Sequence, residues 1–324
     1  MEPWSKELAG SLDEHEIDSA ALAGNPLGDP ARRPLWVYTP PGTADAATLP
    51  AVYLIQGFTG QIDMWRNRSP FRPTVLELFD ELRAPARVVF VDAWTSYGGS
   101  QFVDSAGVGN YHTYLCEDVV GFVDERYPTS ARAVAGKSSG GYGAMVSAML
   151  RPDLFSGFAT HAGDALFELC YLPDFRDAVR GLRDHYDGSF DAFWEDFRSR
   201  PAFAKGSDHA IVNTFAMSEC YTPGELPFDV ATGELRQDVW ERWLAWDPVR
   251  MVDAHADALR GMRAIYIDAG TRDQFYLDLG ADAFKRALER IGVTDIFFEL
   301  FDATHSAIEY RYPIALRYLA ERLQ

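Results

Sequence analysis

Short apolar runs alternate with amphipathic stretches along most of the chain. LWVYTP from Leu35, AVYLIQ from Ala51, RVVFVDA from Arg87, RAVAG from Arg132, GFATHAG from Gly157, RAIYIDAG from Arg263 and DIFFELF from Asp295 have the composition of strands. Several are continuous apolar runs, as in strands covered on both faces. Between them, TVLELFDELR from Thr74 places apolar residues at helical spacing. YLCEDVVGFVDERYP from Tyr114 does the same until Pro128, and the segments from Tyr142, Leu277 and Ala307 behave alike. This alternation predicts an α/β class with a mostly parallel sheet and helices on both faces. Residues 1–34 are polar and punctuated by Gly and Pro, which predicts an irregular lead-in with one short amphipathic element.

The alternation breaks at residues 166–246. That stretch holds Trp194, Trp240, Trp243 and Trp246, with Phe167, Phe175, Phe190, Phe193, Phe197, Phe203, Phe215 and Phe228. It predicts a cap inserted between two core segments, 35–165 and 247–324. Ligands of open α/β sheets bind outside the C-terminal ends of the strands, and the cap would roof that region. Most of the rings are expected to form the cap's own core.

Composition narrows the function classes. Thirty basic against 48 acidic residues leave a formal charge of −18, which repels nucleic-acid phosphates and anionic lipid. Within 166–246 there are 15 acidic and 8 basic side chains, which disfavours a strongly anionic substrate. Three widely spaced cysteines, Cys116, Cys170 and Cys220, argue against a disulfide framework or a zinc site. The N-terminus lacks a basic segment followed by an apolar one, and no run approaches the ~18 apolar residues of a membrane span. The cytoplasm is the expected location, and a homodimer is the commonest assembly for such a chain.

The chemistry-bearing segment is RAVAGKSSGGYGAM from Arg132. Gly136-Lys137-Ser138-Ser139-Gly140 matches G-x-S-x-G, with an apolar strand before it and a helix of small residues after it. That is the setting of a nucleophile elbow, a strained turn that thrusts the serine hydroxyl out at the end of a strand. Gly136 and Gly140 allow close backbone approach. Ser138 is the expected nucleophile, and Ser139 is its rival by one position.

A serine hydroxyl needs a base. His305, in FDATHSAIEY after the last strand, is the candidate; His161, at the end of the strand after the elbow helix, is the rival and is better suited as wall or support. The orienting acid belongs between Ser138 and His305 in chain order. IYIDAGTRDQFY offers Asp273, in the loop beyond the strand, and Asp268, at the strand end; Asp273 is preferred. The loop Gln56-Gly57-Phe58-Thr59-Gly60 follows an early strand, where backbone N–H groups of Phe58 and Ser139 would form the oxyanion hole. Gln56, Trp65, Trp94, Tyr97 and His161 are candidate substrate-binding residues.

With these blocks the sequence resembles the putative-esterase branch of the α/β-hydrolases, which includes esterase D/S-formylglutathione hydrolases, enterochelin-type esterases and mycolyltransferases. The resemblance runs from about Leu35 to the C-terminus. It rests on AVYLIQGFTG with Trp65, the helix before the elbow, GKSSGGYGAM, and GTRDQFY followed by ATHSAIEY. It implies the α/β-hydrolase fold and a Ser138–Asp273–His305 triad. Gln56 and Lys137 depart from the family pattern, in which His often stands at the first position and His or Tyr at the second. The implied activity is hydrolysis of a small-molecule ester or thioester through an acyl-serine, with no metal and no organic cofactor. Acyl transfer to an alcohol, amide hydrolysis and a non-catalytic binding protein on the same scaffold are the alternatives.

Overall fold

A computed structural model of the chain describes residues 7–43, 48–67, 71–201 and 203–324. The strands are β1 Ser11–Asp18, β2 Arg32–Thr39, β3 Leu49–Ile55, β4 Arg87–Val91, β5 Asp104–Ser105, β6 Gly109–Asn110, β7 Thr129–Lys137, β8 Gly157–His161, β9 Ala264–Gly270 and β10 Phe297–Phe301. Eight of them form one sheet in the order β1-β2-β4-β3-β7-β8-β9-β10, and β5 pairs only with β6. From β4 to β10 every pairing is parallel; β1 and β2 join antiparallel at one edge.

The continuous apolar runs follow from a sheet covered on both faces. In β3, Ala51, Tyr53 and Ile55 enter one core while Val52 and Leu54 enter the other. The first core lies against helices Ser139–Leu150 and Leu277–Arg290; the second lies against Val75–Leu82 and Tyr312–Leu323. Helix Val75–Leu82 starts at a capping box. The Thr74 hydroxyl accepts from Glu77 N–H at 3.1 Å, and the Glu77 carboxylate accepts from Thr74 N–H at 2.7 Å.

The stretch before Leu35 departs from the irregular lead-in expected. SLDEHEID forms β1, a charged edge strand in which only Ile17 is fully buried. Backbone pairing with β2 carries it, and Tyr127 OH ties it down through Asp13 and His15. Charge on an edge strand also discourages pairing with another chain. Residues 1–6 of the same lead-in lie outside the described residues.

Between β8 and β9 the regular structure is helical, with Leu172–Tyr186, Phe190–Ser199, Asp208–Tyr221 and Gln237–Leu244 as its longer members. Phe175 meets Trp240 and Trp243 nearly edge-on, each at 5.5 Å. Phe193, Phe228, Trp240 and Trp243 are buried, whereas Phe203 is 55% exposed. Among the described residues no helix is long and apolar enough to cross a membrane.

Candidate active site

β7 ends in the middle of the sheet, with Gly136 opposite Ile55 on one side and Thr160 on the other. The chain then turns through Ser138 at φ 57° and ψ −128° into helix Ser139–Leu150. Such a backbone costs a non-glycine residue on the order of 1–3 kcal/mol. Ser138 N–H donates to the carbonyls of His161 at 3.0 Å and Ala162 at 3.1 Å, which fixes the turn. A Cβ on Gly136 would lie 2.5 Å from the Gly140 carbonyl, and one on Gly140 would lie 2.4 Å from the Ile55 carbonyl oxygen. Both positions therefore require glycine. A Cβ on Gly57 would lie 2.9 Å from the Lys137 carbonyl oxygen, so the Gln56–Gly60 loop lies directly against the elbow.

His305 follows β10, and its Nδ1 lies 2.7 Å from Asp273 Oδ2. That carboxylate partner assigns the Nδ1 proton and leaves Nε2 as the acceptor. Asp273 Oδ1 accepts from Phe275 N–H at 2.8 Å, and the Phe275 ring meets the imidazole edge-on at 5.0 Å. Ser138 and His305 line one cavity of about 530 Å³, a size suited to a small organic ligand. No hydrogen bond joins Ser138 Oγ to His305 among the described residues. Lys137 is also on this wall. Burial holds its ammonium below the usual lysine range, against the opposing charges of Glu309 and Asp273. A neighbouring cavity of about 580 Å³ shares Met64 and Glu309 with the first but contains neither Ser138 nor His305.

Neither Phe58 N–H nor Ser139 N–H has an acceptor among the described residues. Both residues flank a smaller recess beside Ser138, discussed below. The Ser139 hydroxyl is engaged elsewhere, donating to Asp164 Oδ2 at 3.2 Å.

The expected substrate-binding residues do not gather around Ser138. With its amide oriented to suit its neighbours, Gln56 donates to the Val91 carbonyl at 2.7 Å and accepts from Ala93 N–H at 2.6 Å and Trp94 N–H at 3.0 Å. It clamps the turn after β4 and does not face ligand. Trp65 is buried against Phe90 and Tyr312 and borders only the neighbouring cavity. Trp94 is half-exposed and lines neither cavity. Tyr97 packs edge-on against Trp194 and Phe215, each at 5.3 Å, and so seats the helical insert on the core.

His161 is sealed beneath the elbow with Asp268, whose carboxylate also accepts from Arg311 Nε and Tyr266 OH, each at 2.8 Å. Burial would raise the Asp268 carboxyl, but His161, Arg311 and Tyr266 outweigh it and hold it below the usual range.

The cavity wall was largely missed from sequence. Phe203 and His209 come from the insert, while Phe275 and Glu309 lie close in sequence to Asp273 and His305. Adjacency to the candidate triad was the available signal for the last two. The three cysteines are buried and free, and no cluster of three or more metal-ligating side chains occurs among the described residues.

Residues 30–305 match the family described as "Putative esterase". The chain belongs to this family of ester-cleaving hydrolases. Its α/β-hydrolase fold recurs in solved structures of low identity. A ferulic acid esterase is 17% identical, with 98% of this chain and 100% of that chain covered and a TM-score of 0.61. The S-formylglutathione hydrolase from Agrobacterium tumefaciens is 20% identical, with 99% and 98% covered and a TM-score of 0.61. Mycobacterium tuberculosis MPT51 (FbpC1) is 15% identical, with 97% and 99% covered and a TM-score of 0.62. At these identities the likeness establishes the fold. Among curated proteins, no sequence matches the chain.

Proposed function

We propose that this esterase-family chain is a serine carboxylesterase in which Ser138 is the nucleophile, His305 the general base and Asp273 the residue that orients it. The observation that supports this best is the shared cavity: a strained serine elbow and a carboxylate-bound imidazole open onto the same space. His305 Nε2 takes the proton of Ser138 Oγ as Oγ attacks the ester carbonyl. The free N–H groups of Phe58 and Ser139 hold the oxyanion, aided by the positive end of the helix starting at Ser139. Collapse breaks the bond to the leaving alkoxide or thiolate, which takes the proton from Nε2. Water, deprotonated by the same nitrogen, then attacks the acyl-serine; collapse breaks the acyl–Oγ bond, frees the acid and returns the Nε2 proton to Ser138 Oγ. Asp273 stabilises the imidazolium that forms twice in the cycle.

The helical insert, residues 166–246, serves in this proposal as a cap over the cavity, contributing Phe203 and His209 to its wall. The substrate is a small-molecule ester or thioester; the cytoplasm and a homodimer are the proposed setting and assembly, on the grounds drawn from the sequence.

Fluorophosphonate labelling with peptide mapping tests the assignment. Wild type is expected to carry the label on Ser138, and Ser138→Ala to carry none. A label on Ser139 would shift the elbow by one residue, and a folded wild type that takes no label would overturn the mechanism.

A further inference from the structure

Beside Ser138 lies a second, much smaller recess with a volume of about 50 Å³ that water-sized groups can occupy. Ser138, Ser139 and Phe58 border it, as do Asp164 and Asn213, but His305 does not. The leaving group receives its proton from His305 and therefore belongs in the larger cavity, where His305 is on the wall. The small recess is then the acyl side. A recess this small suits a short acyl group.

The floor of this recess is unusual for an acyl pocket because it carries a buried carboxyl. Asp164 stands after β8 and is 6% exposed. Its Oδ2 accepts from Tyr171 OH at 2.8 Å, Gln101 Nε2 at 3.1 Å and Ser139 Oγ at 3.2 Å. Its Oδ1 has no partner among the described residues and is the acceptor left available to the recess that Asp164 borders. A ligand that buries Oδ1 without bonding to it leaves a carboxyl oxygen unpaired, which is costly, and a site built this way discriminates against such ligands.

We propose that Asp164 is a specificity-determining residue of the Ser138 mechanism argued above, selecting short acyl groups that carry a hydrogen-bond donor, hydroxyl or ammonium, on the carbon next to the scissile carbonyl. An apolar acyl group of the same size strips water from Oδ1 and returns nothing. A donor on that carbon replaces the water. The network from Tyr171 and Gln101 holds the carboxyl in place, so the preference is built in before substrate arrives. Neither donor is disfavoured by charge, since the chain carries −18 overall.

The test compares kcat/KM for phenyl esters of acetic, propionic, glycolic and amino-acetic acids in wild type, Asp164→Asn and Asp164→Ala. Glycolyl and propionyl differ by a hydroxyl for a methyl at nearly constant size. Wild type is expected to favour glycolyl over propionyl at least tenfold, and Asp164→Ala to bring that ratio to about one. The amino-acetyl ester decides which donor is preferred. A wild-type ratio at or below one overturns the proposal without any variant. A ratio unchanged in Asp164→Asn or Asp164→Ala, with both esters slowed equally, assigns Asp164 a structural role only and overturns it as well. A separate sample of each protein is labelled with fluorophosphonate, which consumes Ser138, and the kinetics are run on unlabelled protein. Protein that takes the label and, in its unlabelled sample, cleaves esters without the donor preference defeats the Asp164 proposal alone, whereas folded wild type that takes no label defeats the Ser138 mechanism and this proposal with it.

Discussion

His161 and Asp268 occupy paired positions on β8 and β9, and their side chains meet at 2.7 Å, the same separation that joins His305 to Asp273. The two Asp–His pairs are chemically alike and differ in surroundings. Asp268 is also gripped by Arg311 and Tyr266, and both members of its pair are sealed from solvent. The second pair opens onto the Ser138 cavity through His305. On the proposed mechanism, then, surroundings decide which pair supports the fold and which serves chemistry.

Paired substitutions separate those roles. Asp273→Asn is expected to lower kcat by about 10³–10⁴, because the imidazole loses its tautomer and its counter-charge. Its melting temperature should move little. Asp268→Asn breaks a buried ion-paired network and is expected to cost on the order of 3–5 kcal/mol of stability. The fraction that folds should keep kcat within a few-fold of wild type. Urea unfolding and steady-state kinetics on both variants check this, and a folded, stable Asp268→Asn protein with a kcat as low as that of Asp273→Asn would reverse the assignment.

The elbow and its partners were legible from sequence because their chemistry constrains their neighbours. Gly136 and Gly140 are dictated by backbone contacts, and the segment between apolar strand and small-residue helix is readable as a unit. The inner parallel strands β3, β4, β8 and β9 were legible as well, since both faces of each are covered. β1 was not, because a charged edge strand is held by backbone hydrogen bonds to β2, not by an apolar face. The pocket walls were the least legible. Trp65 and Tyr97 follow strands at the correct edge of the sheet, yet one ring turns into the core and the other toward the insert. Side-chain direction in a single short helical turn, as at Trp65, or in an irregular loop, as at Tyr97, leaves no period in the sequence, and Phe203 reaches the cavity only through the insert's tertiary packing.

Close backbone packing at the elbow predicts a contrast between two glycines. A Cβ on Gly140 meets the Ile55 and Gln56 carbonyl oxygens at 2.4 and 2.8 Å, and backbone has little room to yield. Gly140→Ala should be destabilised by roughly 3 kcal/mol or more and should lose fluorophosphonate labelling. Gly121, in helix Val120–Arg126, has nothing within 4 Å of the same added atom. Gly121→Ala should leave activity unchanged and raise stability by about 0.5–1 kcal/mol. Melting curves on the two variants measure both effects; equal melting temperatures would deny the elbow its steric requirement.

Asp208 anchors the start of helix Asp208–Tyr221 in the insert. Its carboxylate accepts from Arg200 at 2.7 and 3.0 Å and from the Ala204 and Lys205 N–H groups at 2.8 Å. Burial pushes its pKa up, but these partners prevail and bring it to about 2. In the unfolded chain an aspartate titrates near ~3.9. The folded value is the lower one, so the unfolded state binds the extra proton and the contribution to stability is complete above that pH. It is lost as pH falls from ~4 through about 2. Asp208→Asn should therefore melt below wild type at pH 7, and the gap should narrow steadily from pH 4 to pH 2. A gap independent of pH would show that shape, not charge, is what Asp208 supplies.

Phe203 is 55% exposed on the wall of the cavity that holds His305, where a ligand in that cavity would cover it. In the proposed mechanism His305 protonates the leaving group, which places Phe203 against the alcohol portion and not the acyl group. Covering part of a phenyl face is worth about 1–1.5 kcal/mol, or roughly a tenfold change in binding. Phe203→Ala should raise KM about three- to tenfold for naphthyl esters and leave KM for methyl esters of the same acid unchanged. kcat should be preserved for both, because the contact is equal in ground and transition states. The melting temperature should hold, as an exposed ring contributes little to the core. A fall in kcat for both esters alike would instead make Phe203 part of how the insert positions the reacting groups.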